Sequence, residues 1–346
     1  MSGGLDSKIL KYQRTLGMTV MEGKGFYAPN DMSLAPNGRI YVLNRSIDIA
    51  RGMGIRICDS NDEFFGSFGK FGSDPGDFKW PSAIASGPDS QIYVADEYKH
   101  KIITFSPEGD FIREWGVHGK RQGELDTPSG VVVDGDNNLV VSDTYNHRVQ
   151  IFNLDGVFLK SFGKEGSGHG ELNMPWRLSI DIDSNIYVAD WGNDRISIFD
   201  SQGKFVKSHG MSGRKEGQFF RPAKAVSDSS GNIYVCDWGN ERIQVLDKEG
   251  HFIEQNRGES RVSPWAQNFL NVNNEESDAR DKSDLEKMDI PFMNPSDQHE
   301  VSSHIEKYFW APMSLSISQD DHLFVLESNR HRIQIFEIES KALIKK

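Results

Sequence analysis

Cysteine is nearly absent from this chain, with Cys58 and Cys236 alone in 346 residues. Two thiols in β-like runs of different segments exclude a disulfide framework and read as buried free thiols. No apolar run approaches the length of a membrane span, and Met1 to Tyr12 lacks the basic-then-apolar order of a secretory signal, so the expected compartment is the cytoplasm and no membrane is a partner. Basic residues are in the minority, 39 Lys and Arg against 51 Asp and Glu, and the net charge of −12 argues against nucleic acid, which is held by neutralising phosphates. A phosphate loop, a nucleophile elbow and a Cys/His pair at motif spacing are also missing.

A repeat is present instead. Six prolines are each followed fifteen positions later by an acid or amide: Pro29 with Asn44, Pro81 with Asp96, Pro128 with Asp143, Pro175 with Asp190, Pro222 with Asp237, and Pro312 with Glu327. In the middle of the chain the period is 47 residues, the length of four short antiparallel strands and their turns. Such a unit cannot bury both faces alone, and six of them stacked radially close a ring. The expected fold is all-β, a six-bladed β-propeller of four-stranded antiparallel blades forming one domain over residues 1–346. Gly17 stands twelve residues before Pro29, as Gly69, Gly116, Gly163 and Gly210 stand before later repeat prolines, at the end of a fourth strand. Residues 8–17 are therefore expected to supply the outermost strand of the last blade, with residues 341–346 as a rival or additional edge.

The repeats resemble the NHL-repeat family of six-bladed propellers, through an acid, an Asn and an Arg after the second strand. These read Asp143, Asn146 and Arg148, then Asp190, Asn193 and Arg195, then Asp237, Asn240 and Arg242. Five repeats carry a cation five residues after the acid: Lys101, Arg148, Arg195, Arg242 and Arg332. A charge-assisted pair tying down the loop is the expected role. His100, His147 and His331 share the place before that cation, as a common family residue or, together, as metal ligands.

Departures from the repeat point to one face. A surplus of five residues falls between Asn44 and Gly54, and another of 43 falls between blades five and six, within an insertion of roughly residues 257–307. The longer insertion is expected to be either a solvated excursion or a lid over the channel mouth, with a short helix near Ser283 to Met288. Two residues after the repeat proline, where Ala83, Gly130 and Ser314 are small, stand Asp31, Arg177 and Lys224. Two cations and a carboxylate near the channel mouth form either a ligand site or an internal ion-pair network. Asn30, Trp176, Tyr98, Tyr145, Trp191 and Trp238 are candidate walls, with Arg45 or Arg51 approaching from the first-blade loop.

The chain is also distantly similar to the peptidyl-hydroxyglycine amidating lyase propellers, in which Tyr145, and equally Tyr98, would match a catalytic tyrosine. Their zinc histidines follow the repeat prolines directly, where this chain has Asn30, Ser82, Ser129, Trp176, Ala223 and Met313, so no metal and no cofactor are implied. A calcium-dependent lactonase site is disfavoured by Arg177 and Lys224. The sequence thus favours a metal-independent lyase or hydrolase acting on an anionic small molecule, a carboxylate or phosphate. Arg177 and Lys224 would bind it, and Tyr145 or Asp31 would carry the proton. The alternative is a non-catalytic propeller holding a protein or peptide on the same face.

Overall fold

The computed structural model describes residues 9–46, 50–286 and 294–339. They form six four-stranded antiparallel sheets, one per repeat. The innermost strands meet in sequence around the ring, and the last meets the first. The sheets make a six-bladed β-propeller.

Blade three shows why the sequence adopts this form. Its strands are Pro128–Val133, Asn138–Asp143, Arg148–Asn153 and Phe158–Phe162. Side chains alternate between sheet faces, and here both faces are covered. Leu139, Val141 and Phe152 pack on Tyr93 and Ile102 of blade two, whereas Val140, Val149 and Ile151 pack on Leu178 and Val188 of blade four. Near-continuous apolar second strands follow from that double burial.

The ring is closed by the N-terminus. Leu10–Leu16 pairs antiparallel with Arg332–Ile338, in a register that runs from Leu10 opposite Ile338 to Leu16 opposite Ile333. Leu10 and Leu16 are buried, and Gly17 then leaves the sheet with φ +105°, in the left-handed region that glycine favours. Lys8 and residues 341–346 lie outside the described residues.

The pair of acid and cation behaves as expected in four blades. The Nε of Arg148, Arg195 and Arg242 donates to Asp143, Asp190 and Asp237 at 2.7 to 2.8 Å, and Arg332 pairs with Glu327. The guanidinium also reaches backward, since Arg148 Nη2 donates to the carbonyls of Arg121 and Glu124 in the connection from the preceding blade. Lys101 departs from the pattern and bonds Glu114. An ammonium lacks the planar fork that serves a carboxylate and two carbonyls together. Asp96 instead accepts backbone N–H groups from Lys79, Trp80, Tyr98 and Lys99.

The long insertion is helical. Helix α1 spans Pro264–Val272, α2 Asn274–Lys282 and α3 Gln298–His304. The helix expected at 283–288 is displaced toward the N-terminus, for residues 283–286 are non-helical and 287–288 lie outside the described residues. Ser263 caps α1 by accepting from Ala266 N, with Pro264 in the first turn. Trp265 then buries its ring against Phe26 and Phe64 and donates to Asp62 O at 2.9 Å. This places α1 on the outer edge of blades six and one. Helix α3 rests on loops of blades five and six, with His299 bonded to Glu241 and Ser302 and Ser303 carbonyls accepting from Arg330.

Candidate functional site

Two residues after each repeat proline, on the innermost strand, the chain is tightly built. A Cβ at Gly130 would lie 2.5 Å from Trp176 O, so blade three accepts only glycine there. Arg177, 1 % exposed, reaches across and donates through Nη2 to the carbonyls of Asn30, at 2.7 Å, and Ser82, at 3.3 Å. Asp31 Oδ1 stands 3.6 Å from both Arg177 Nε and Lys224 Nζ and accepts from Ser314 Oγ at 2.6 Å. Its other oxygen accepts from Ile84 N at 3.0 Å. Burial pushes the Arg177 and Lys224 pKa values down, against the opposing pull of Asp31.

These residues plug the channel. On one side lies a cavity of about 330 Å³ lined by Lys224 and by residues further along the inner strands, such as Met32, Ile84, Val131 and Leu178. On the other lies a cleft of about 210 Å³, walled by Tyr145, Met174, Trp176 and Trp191 with Arg45 and Glu97 at its edge. Arg45 Nη1 bonds Glu97 Oε2 at 3.1 Å and its guanidinium lies over the Trp80 ring. Desolvation raises the Glu97 pKa above the ordinary carboxylate value despite Arg45, and lowers that of Arg45. Trp176 and Trp191 meet edge to face, backed by Arg177 and Arg221 respectively.

Of the residues singled out in the sequence, Tyr145, Trp176, Trp191 and Arg45 come together in this cleft. Asn30, Asp31, Arg177 and Lys224 also meet, but beneath it and bonded to one another. Tyr98 is 72 % exposed and outside the cleft, and Trp238 packs into the core shared by blades five and six. Arg51 is exposed beside Glu22. No described residue of the 257–307 insertion lines the cleft. Glu97 went unrecognised. The repeat place just after the acid carries Arg45, Glu97, Thr144 and Trp191 in blades one to four, all of which line the cleft. Reading that column across repeats would have found it.

The histidines before the loop cation have a different role. His100, His147 and His331 each accept, through Nδ1, the N–H of Thr127, Met174 and Ala28, at 2.8 to 3.1 Å. Asp194 and Glu241 do the same for Arg221 and Ala311. Every one of those five donors precedes a repeat proline and has φ between 46° and 56°. A left-handed non-glycine conformation persists only where its surroundings hold it, and this acceptor is part of that hold. The three histidines therefore serve three separate loops.

The NHL repeat model matches residues 125–152 and 219–246, the segments containing the second and third strands of blades three and five. No curated protein matches by sequence. Among solved structures the chain is similar to virginiamycin B lyase from Staphylococcus aureus, at 10% identity and TM-score 0.56, covering 95% of this chain and all of that one. It is similar also to an auxiliary nutrient binding protein from Bacteroides thetaiotaomicron, at 12% identity and TM-score 0.60, over 96% of this chain and 77% of that one. A chain of a nidogen/laminin complex aligns at 16% identity and TM-score 0.50, over 71% and 91% respectively. At these identities the likeness is one of fold. Matched by the NHL repeat model at two of its repeats and built as six four-stranded blades, the chain is a six-bladed β-propeller that contains NHL repeats.

Proposed function

We propose that this propeller is a non-catalytic binding module that holds a protein or peptide partner on the face where the cleft opens, seating one partner side chain between Tyr145, Trp176 and Trp191. The observation that carries this reading is the ion pairing of Arg177 and Lys224 with Asp31, at 3.6 Å each, and the bonding of Arg177 to the Asn30 and Ser82 carbonyls. The cations that an anionic substrate would need are engaged beneath the cleft, and what reaches its surface is aromatic, with Arg45 already paired to Glu97. A cleft of about 210 Å³ lies below the roughly 300 Å³ of small-molecule sites, and suits one side chain. Aromatic anchors beside a charge are the usual energetic centre of a protein interface. The unpaired thiols Cys58 and Cys236 support a reducing, cytoplasmic setting.

A second reading keeps the enzyme, as a metal-independent lyase or hydrolase. It rests on Tyr145 and Glu97 sharing the cleft, where a carboxyl with a raised pKa is suited to proton transfer. The test is peptide display against the intact chain, with the selected peptides then measured against the parent and two variants. Peptides that bind the parent and lose at least tenfold in affinity to both Trp191→Ala and Tyr145→Ala support the module. Selected peptides that bind both variants as tightly as the parent refute it.

A further inference from the structure

The junction between blades two and three departs from the repeat in two of three neighbouring places. It carries His100 before the loop cation, His118 in the blade connection and Asp126 two residues before Pro128. The same three places read His147, Glu165 and Asn173 at the next junction, and Asp194, Ser212 and Phe220 at the one after. Asp126 Oδ1 stands 3.7 Å from His100 Nδ1 and 3.5 Å from His118 Nε2, and one ligand atom from each residue lies within 4.8 Å of the others. No other such trio occurs among the described residues.

We propose that His100, His118 and Asp126 form a binding site for a divalent transition-metal ion of the zinc class, with solvent in the fourth position. Tetrahedral ligands about 2.0 to 2.2 Å from zinc stand roughly 3.3 Å apart. The two spacings to Asp126, 3.7 and 3.5 Å, need only a small closure, and His118, 63 % exposed on its side chain, can rotate to bring its nitrogen toward that of His100. Two imidazoles and one carboxylate favour such ions over calcium or magnesium, which take oxygen shells. The nitrogen of His100 nearest the carboxylate is the one accepting from Thr127 N, at 3.1 Å. Metal uptake there takes that lone pair from the Thr127 N–H. Asp126 O in turn accepts from Tyr145 N at 3.2 Å, which joins the site to the cleft wall without resting on the cleft's function.

The experiment is titration of the chelator-stripped full chain with zinc chloride and, separately, magnesium chloride, by calorimetry and by amide NMR. The expected result is zinc binding that moves the Thr127 amide resonance and weakens at least tenfold in both His118→Ala and Asp126→Asn, with no comparable magnesium binding. His118→Ala removes an exposed ring, and Asp126→Asn keeps the backbone bond to Tyr145, so each leaves the fold in place. Zinc binding of parental strength in either variant, magnesium binding equal to zinc, or an unmoved Thr127 amide overturns the proposal.

Discussion

Replacing Asp31 with alanine removes the one carboxylate that Arg177 and Lys224 share in the channel. At 3.6 Å from each cation, and with an effective dielectric near 20, each attraction is worth roughly 4 to 5 kcal/mol before desolvation is subtracted. The net cost is better set by measured breakage of buried pairs, about 3 to 5 kcal/mol, because the variant strands charge rather than removing a contact between neutral groups. The Ile84 N–H and Ser314 hydroxyl lose their acceptor in the same change. Arg177→Met is the contrasting variant. It withdraws a charge instead of stranding one, leaves Asp31 bonded to Lys224, Ser314 and Ile84, and orphans chiefly the Asn30 carbonyl, for about 1 to 3 kcal/mol. For a cooperative chain of 346 residues, 1 kcal/mol is about 1.4 °C in Tm. Asp31→Ala should then melt roughly 4 to 7 °C lower and Arg177→Met roughly 1 to 4 °C lower. Differential scanning calorimetry of the two variants decides the matter. An Asp31→Ala melting point within 2 °C of the parent, or a larger loss in Arg177→Met, would refute the plug and return the cations to ligand use.

Deleting residues 1–17 removes the strand opposite Arg332–Ile338 and bares the edge of blade six; a strongly lowered melting point with aggregation is expected, and an unchanged melt would show that the ring closes without it. Glu241 holds α3 through His299 and is buried, and desolvation raises its pKa from 4.5 to about 7. The folded state therefore takes up its proton first, so the stability this group contributes is complete below about pH 4.5 and is lost as pH rises through about 7, at up to about 1.4 kcal/mol per pH unit. Urea titrations at pH 5, 6 and 7 should show this slope in the parent and a flatter one in Glu241→Gln; equal slopes would remove Glu241 as the source.

How much of the site could be read in advance differs from residue to residue. Asp31, Arg177 and Lys224 stood out because the repeat demands small residues where Ala83, Gly130 and Ser314 sit, yet their service to one another was decided by distances across the ring. Glu97 and Arg45 lie 52 residues apart and meet only because blades one and two are neighbours. Helix α1 was not anticipated from the sequence, and its seat depends on Trp265 finding Phe26, Phe64 and Asp62 from other parts of the ring.

By itself the sequence determined the number of blades, the strand order within each, the N-terminal closure and the burial of the thiols. These follow from short-range periodicity, turn residues and the 47-residue register, which act within one blade or between adjacent ones. Only the tertiary structure decided which channel charges neutralise each other, where the insertion lies, why three histidines share a repeat place, and which side chains line the cleft. Those outcomes depend on groups brought together from different blades, and in a low-dielectric channel a displacement of an ångström or two decides whether a cation is free for a ligand or paired with Asp31.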